Sequence, residues 1–165
     1  MELHLPFPPS PENASKIAGA CVDMVHKIRG DELDYSVESL GLVEEILDGF
    51  HKSGDRSENI GSTAFMFGAY VGEIMVRHAG AHWVDTTVDP EVPPDMGFPM
   101  SIRHGDNLAI PFFKVCKRID NGEEDNIPYY YTVLTNIWTD GMHSQPPPKA
   151  TKRSWVRRWF GRGNA

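Results

Sequence analysis

Apolar positions recur at helical spacing along most of the chain. Ile17, Cys21, Met24 and Ile28 step by three or four residues. Ahead of them, Ser10-Pro11-Glu12 supplies a capping serine, a proline suited to the first helical position and an acid at the positive helix end. With Arg29-Gly30 as a stop, the pattern predicts a helix over about residues 11–29. Leu40, Val43, Leu47 and Phe50 predict a second helix, with Glu38, Glu44, Glu45 and Asp48 on its wet side. Ser36 reads as its N-cap, Tyr35 and Leu40 as a hydrophobic staple, and Gly54 as a left-handed end. A third helix is predicted from near Ser57 to Ala79. Residues 60–72 carry no charge, so this helix should be buried on nearly all sides. The uncharged run is too short and too rich in Gly, Ser and Thr to cross a bilayer. Gly61, Gly68 and Gly72 each cost about 1 kcal/mol of helix propensity relative to alanine, which makes sense where another element packs closely.

The periodicity changes after Gly80. His82 to Val88 is rich in β-branched and aromatic residues and predicts a strand. Asp89 to Pro94 is a proline-rich connection. Phe98 to Arg103 and Leu108 to Ile110 predict two more strands around the turn His104-Gly105-Asp106-Asn107, an antiparallel hairpin. Phe112, Val115, Cys116 and Ile119 behind Pro111 fit a helix, broken at Asn121-Gly122. Asp125 reads as the cap of a last helix, about 126–138, although Tyr129, Tyr130, Tyr131 and Val133 leave a strand open. Three successive tyrosines cannot all face inward. One should be exposed, and an exposed aromatic on an acidic protein suggests a protein-binding surface. The expected fold class is α+β, mainly helical with a small antiparallel sheet in the middle of the chain. One domain is expected over residues 1–145, then a proline linker and basic-aromatic tail over 146–165.

Length and composition suit one globular domain: 165 residues, 40 % hydrophobic and 24 % charged. They exclude collagen-like, coiled-coil, disulfide-framework and wholly disordered chains. Cys21 and Cys116 are far apart and read as small buried residues of a reducing compartment. Met1 to Pro11 lacks the basic start and apolar core of a secretory signal, so a cytoplasmic setting is expected.

Charge is distributed unevenly. Residues 149–165 hold Lys149, Lys152, Arg153, Arg157, Arg158 and Arg162 with no acid, a balance of +6. The rest of the chain holds 10 basic and 23 acidic residues, a balance of −13. Pro146-Pro147-Pro148 between them is a semi-rigid extended spacer. If Thr151 or Ser154 caps a short helix, Trp155, Val156, Trp159 and Phe160 gather on one side, flanked by the arginines. Such a segment is too short to be a stable helix alone. An anionic membrane surface fits its chemistry. A solubilising or protein-docking tail fits it as well. Nucleic acid suits the tail but not the acidic body.

Three stretches resemble a small uncharacterised bacterial domain family of unknown function, commonest in actinobacteria. They are Leu33-Asp34-Tyr35-Ser36-Val37-Glu38-Ser39-Leu40; Gly68-Ala69-Tyr70-Val71-Gly72-Glu73 with Gly80-Ala81-His82-Trp83; and Pro111-Phe112 with Lys117-Arg118-Ile119-Asp120-Asn121-Gly122-Glu123-Glu124-Asp125. The resemblance covers about residues 33–138 and implies a cytoplasmic α+β domain. It brings no activity, so no catalytic residue follows from it.

Candidate chemistry is sparse. Glu73 stands alone in an apolar helical segment, where a desolvated carboxylate can act as acid or base. The same position suits a structural pair with Arg77 one turn later. With Trp83 these two residues form the candidate pocket. His78 and His82 have a zinc-like spacing, but Gly80 should end the helix between them, and the HExxH pattern is absent. There is neither a phosphate-binding glycine loop nor a nucleophile elbow. Cys116 falls on an apolar stripe and reads as core. No metal, cofactor or catalytic set is therefore expected. The leading reading is a non-catalytic cytoplasmic binding or adaptor module. It would meet a protein partner or an anionic membrane through Lys152, Arg153, Trp155, Arg157, Arg158, Trp159, Phe160 and Arg162. The alternative is a small enzyme using Glu73 in a pocket near Trp83.

Overall fold

Helices α1 (Ala14–Arg29), α2 (Leu40–Ser53) and α3 (Ile60–Ala79) precede strands β1 (His82–Val84), β2 (Ser101–His104) and β3 (Asn107–Ala109). Helices α4 (Pro111–Asn121) and α5 (Ile127–Asp140) follow. These elements come from a computed structural model, which describes residues 3–140. The basic-aromatic residues from Lys149 to Arg162, and the linker before them, lie outside that range. The arrangement is α+β and mainly helical, with the small antiparallel sheet in mid-chain.

The helices end where glycine relieves backbone strain. Gly30, Gly54 and Gly80 all take left-handed conformations at the ends of α1, α2 and α3. The first turn expected at Pro11 is a separate 3-10 turn, Pro11–Asn13, and α1 proper begins at Ala14. Its buried stripe runs Ala14, Ile17, Ala18, Cys21 and Val25. Ile28, expected on that stripe, is 75 % exposed, because the face turns toward Val25 rather than Met24.

The start of α2 also differs from expectation. Ser36 Oγ does accept the Ser39 N–H at 3.1 Å, as a cap would. The next N–H groups then bond three residues back, so the chain makes a tight lead-in and the α-helix begins at Leu40. Tyr35 has φ 61°. Its ring lies on Tyr70 and Arg77 of α3, which turns the expected staple residue toward another helix.

Helix α3 is the centre of the fold. It packs against α1 on one side and α4 on another. Buried residues run through it from Ile60 to Met75 on nearly every face. Gly68 and Gly72 explain themselves here. A Cβ at Gly68 would come within 2.5 Å of the Phe112 backbone, and one at Gly72 would overlap the Trp83 ring. These are the close approaches that the glycines predicted. No helix among the described residues is long and apolar enough to cross a membrane.

The sheet has the order β1-β2-β3, all antiparallel. Trp83 pairs with Ile102, and Ile102 with Ala109. The hairpin turn is Gly105-Asp106, tighter than the four residues expected. Strand β1 stops at Val84 rather than Val88, because Asp85 accepts the Thr87 N–H and folds the chain into a turn. Helix α5 is capped by Asn126, whose Oδ1 accepts the Tyr129 N–H. Asp125, the expected cap, is taken by Lys114 and Asn121 instead.

Candidate functional site

The three candidate pocket residues do come together. Helix α3 presents Glu73 and Arg77 one turn apart, and β1 carries Trp83 back across the same face. Because Gly72 has no side chain, the indole can lie against the helix and reach the next residue. Trp83 Nε1–H donates to Glu73 Oε2 at 3.1 Å, and Arg77 Nε–H donates to Oε1 at 3.2 Å. Each carboxylate oxygen therefore has a donor supplied by the fold. Glu73 is 7 % exposed, whereas the Arg77 side chain is 43 % exposed.

Arg77 extends the arrangement. Its guanidinium lies 3.7 Å from the centre of the Tyr35 ring, which in turn packs at 5.0 Å on Tyr70. The Tyr35 N–H donates to Tyr70 Oη at 2.9 Å. Ser39 Oγ donates to the Ser36 carbonyl, so Tyr70 O–H must be the donor in its 2.7 Å bond with Ser39 Oγ. His78 Nε2–H donates to the Tyr35 carbonyl at 2.7 Å. Burial pushes both phenols above their ordinary values, although Arg77 and Ser39 respectively act the other way. The left-handed backbone of Tyr35, which costs an L-residue about 1–2 kcal/mol, is thus held by a hydrogen bond on each side and by the Arg77 cation. Sequence reasoning missed this knot. Its signal lay in Tyr35, Ser36 and Ser39, but their partner Tyr70 is far away in the chain.

Beside Trp83 is a crevice lined by Phe65, Phe98, Met100 and Phe112. It has no room for a water-sized sphere, and Glu73 is not among its walls. Phe98 stacks on Phe112 at 5.5 Å, and Phe65 packs on both rings. This is aromatic packing rather than a ligand cavity.

The remaining candidates separate. Gly80 ends α3 between His78 and His82, and His82 is exposed on β1. Among the described residues, no group of three His, Cys, Asp or Glu side chains could hold a metal ion. Cys21 and Cys116 are fully buried, and burial raises both thiols well above the usual range. His104 stacks on Trp138 at 5.0 Å. Of the three tyrosines, Tyr129 is 68 % exposed, while Lys114 sits over Tyr130 at 5.4 Å. One exposed tyrosine was the expectation.

The Glu73 site gives a direct test. Glu73→Gln keeps an acceptor for the Trp83 indole and loses a pair whose cation is half in water, so it should cost about 1 kcal/mol or less. In a merely structural, dry site, leucine would be neutral or stabilising. The structure changes that expectation. Glu73→Leu leaves the Trp83 N–H without its acceptor and should cost about 1–3 kcal/mol. Denaturant midpoints of the two variants check the order; a leucine variant as stable as the parent removes the hydrogen bond from the argument.

No family model, curated protein or solved structure matches the chain.

Proposed function

We propose that the chain is a non-catalytic cytoplasmic binding or adaptor module, tethered to an anionic membrane surface by its C-terminal segment. The separation of charge carries this reading: +6 over residues 149–165 against −13 over the rest. Each basic residue near an anionic leaflet contributes about 1 kcal/mol, and Trp155, Trp159 and Phe160 add burial at the interface. The acidic body is repelled by the same surface. Pro146-Pro147-Pro148 separates the two in the sequence. Nucleic acid ranks lower as a partner, since the whole chain would have to approach a polyanion.

The environment of Glu73 supports a structural role over the enzyme reading. Its two oxygens are committed to Arg77 and Trp83, and the neighbouring crevice is too narrow for water. A reacting group needs a place for substrate beside it.

Co-sedimentation of the full chain with vesicles tests the proposal. Binding is expected to phosphatidylserine-containing vesicles, to weaken with salt, and to be lost in Trp155→Ala/Trp159→Ala. Equal binding to neutral and anionic vesicles, or binding to neither, removes the membrane reading.

A further inference from the structure

The outer face of α5 has an unusual surface for an acidic protein. Tyr129, Thr132, Val133, Asn136, Thr139 and Asp140 are all exposed and recur at helical spacing. Residues 127–139 include no charge. The helix buries Ile127 and Trp138, while Val133 is 38 % and Tyr129 68 % exposed. Carboxylates frame this stripe. Glu123 and Glu124 are exposed just before its start, and Asp140 closes its far end. Neither glutamate makes an ion pair among the described residues.

From these observations we infer that the chain's own segment 149–162 docks in cis on this face. Reach permits it. Eight residues separate Asp140 from Lys149, and a chain of that length can span up to roughly 25 Å at about 3.1 Å per residue. Helix α5 is about 21 Å long at 1.5 Å per residue. The segment can therefore lie anywhere along the face, up to Glu123 and Glu124. Its composition also complements the surface. Trp155, Val156, Trp159 and Phe160 meet the uncharged stripe at Tyr129 and Val133, and Lys149, Lys152 and the arginines meet the framing carboxylates. A short linker supplies an effective concentration in the millimolar range, so a contact too weak to form between separate molecules is populated within one.

Docking uses the same tryptophans and arginines as membrane attachment. Cis docking thus regulates the tether proposed above: an anionic leaflet competes the segment away and uncovers α5. That one consequence rests on the membrane reading, whereas the docking itself does not.

The test uses the full chain carrying a nitroxide at Asn136→Cys, an exposed position one turn along from the Val133 contact. Cys21 and Cys116 are fully buried, which directs the label to the new thiol. The indole N–H signals of Trp155 and Trp159 are followed by NMR. They are expected to be broadened to the same extent at every protein concentration. About 1 M salt, where the Debye length falls to about 3 Å, should restore them, and so should Glu123→Lys/Glu124→Lys. Unbroadened signals overturn the proposal. So does broadening seen when labelled chains are mixed with unlabelled ones, because the occupant is then a second copy. Broadening that survives the charge reversal overturns it as well. Vesicle binding is read separately on the unlabelled chain. Broadening without vesicle binding fails the membrane reading alone, and vesicle binding without broadening fails cis docking alone.

Discussion

Replacing Arg118 with alanine is expected to lower the unfolding free energy by about 3–5 kcal/mol, as for loss of one member of a buried ionic cluster. Arg118 is 2 % exposed and heads the largest fully buried side chains of the described residues. Its Nε–H donates to Glu44 Oε1 at 2.6 Å and its Nη2–H to Asp48 Oδ1 at 2.9 Å. The other oxygen of Glu44 accepts the Ile127 N–H at 2.9 Å. Three helices thus meet at one guanidinium: α4 supplies it, α2 holds it, and α5 starts from the same carboxylate. Burial works against the arginine's charge, but Asp48 and Glu44 hold the proton more firmly than usual. Alanine would leave Glu44 a half-buried carboxylate facing an empty volume. Lysine at 118 should recover part of the loss, since a point charge cannot serve both carboxylates as the planar fork does. Chemical denaturation checks this. A loss below about 1 kcal/mol, the range of exposed pairs, would contradict the cluster.

Gly68→Ala is expected to destabilise by about 2 kcal/mol, the overpacking cost less about 1 kcal/mol of improved helix propensity. The obstacle is backbone. The added Cβ would lie 2.5 Å from Phe112 Cα and 2.8 Å from Phe112 N, so α3 and α4 must separate to admit it. Gly49 of α2 provides the control. A Cβ there meets nothing within 4 Å, so Gly49→Ala should stabilise by roughly 0.5–1 kcal/mol. Thermal melts of the two variants should move in opposite directions. If both rise, the α3–α4 contact yields more easily than its geometry indicates.

Much of the architecture was legible because local signals agree with the packing. The glycines at 30, 54 and 80 mark helix ends whatever the tertiary structure does, since left-handed backbone disfavours other residues. Phe112, Val115, Cys116 and Ile119 gave the buried face of α4 correctly. The Arg118 cluster was not legible. Glu44 and Asp48 look like solvent-facing acids from their place on α2, and nothing local shows that an arginine 70 or more residues away descends onto them. The visible clue was a pair of acids four apart on one helix face. Strand β1 was over-extended for a related reason. Thr86 and Thr87 favour strands by propensity, but the Asp85 side chain takes the Thr87 N–H and hydroxyl and folds the chain into a turn. At the candidate site, the Glu73–Arg77 pair was readable from its spacing. The Trp83 donor was not, because its approach depends on a strand crossing over Gly72.

The central place of α3 sets an order of events during synthesis. One of its packing partners, α1, ends at Arg29, while the other, α4, begins only at Pro111. When the ribosome has released Ala79, the helix has its first neighbour and lacks its second. At about 5–20 residues per second, the wait for α4 lasts a few seconds, with the Gly68 face open to water. Nascent chains paused in this interval present an apolar helix to chaperones and to one another.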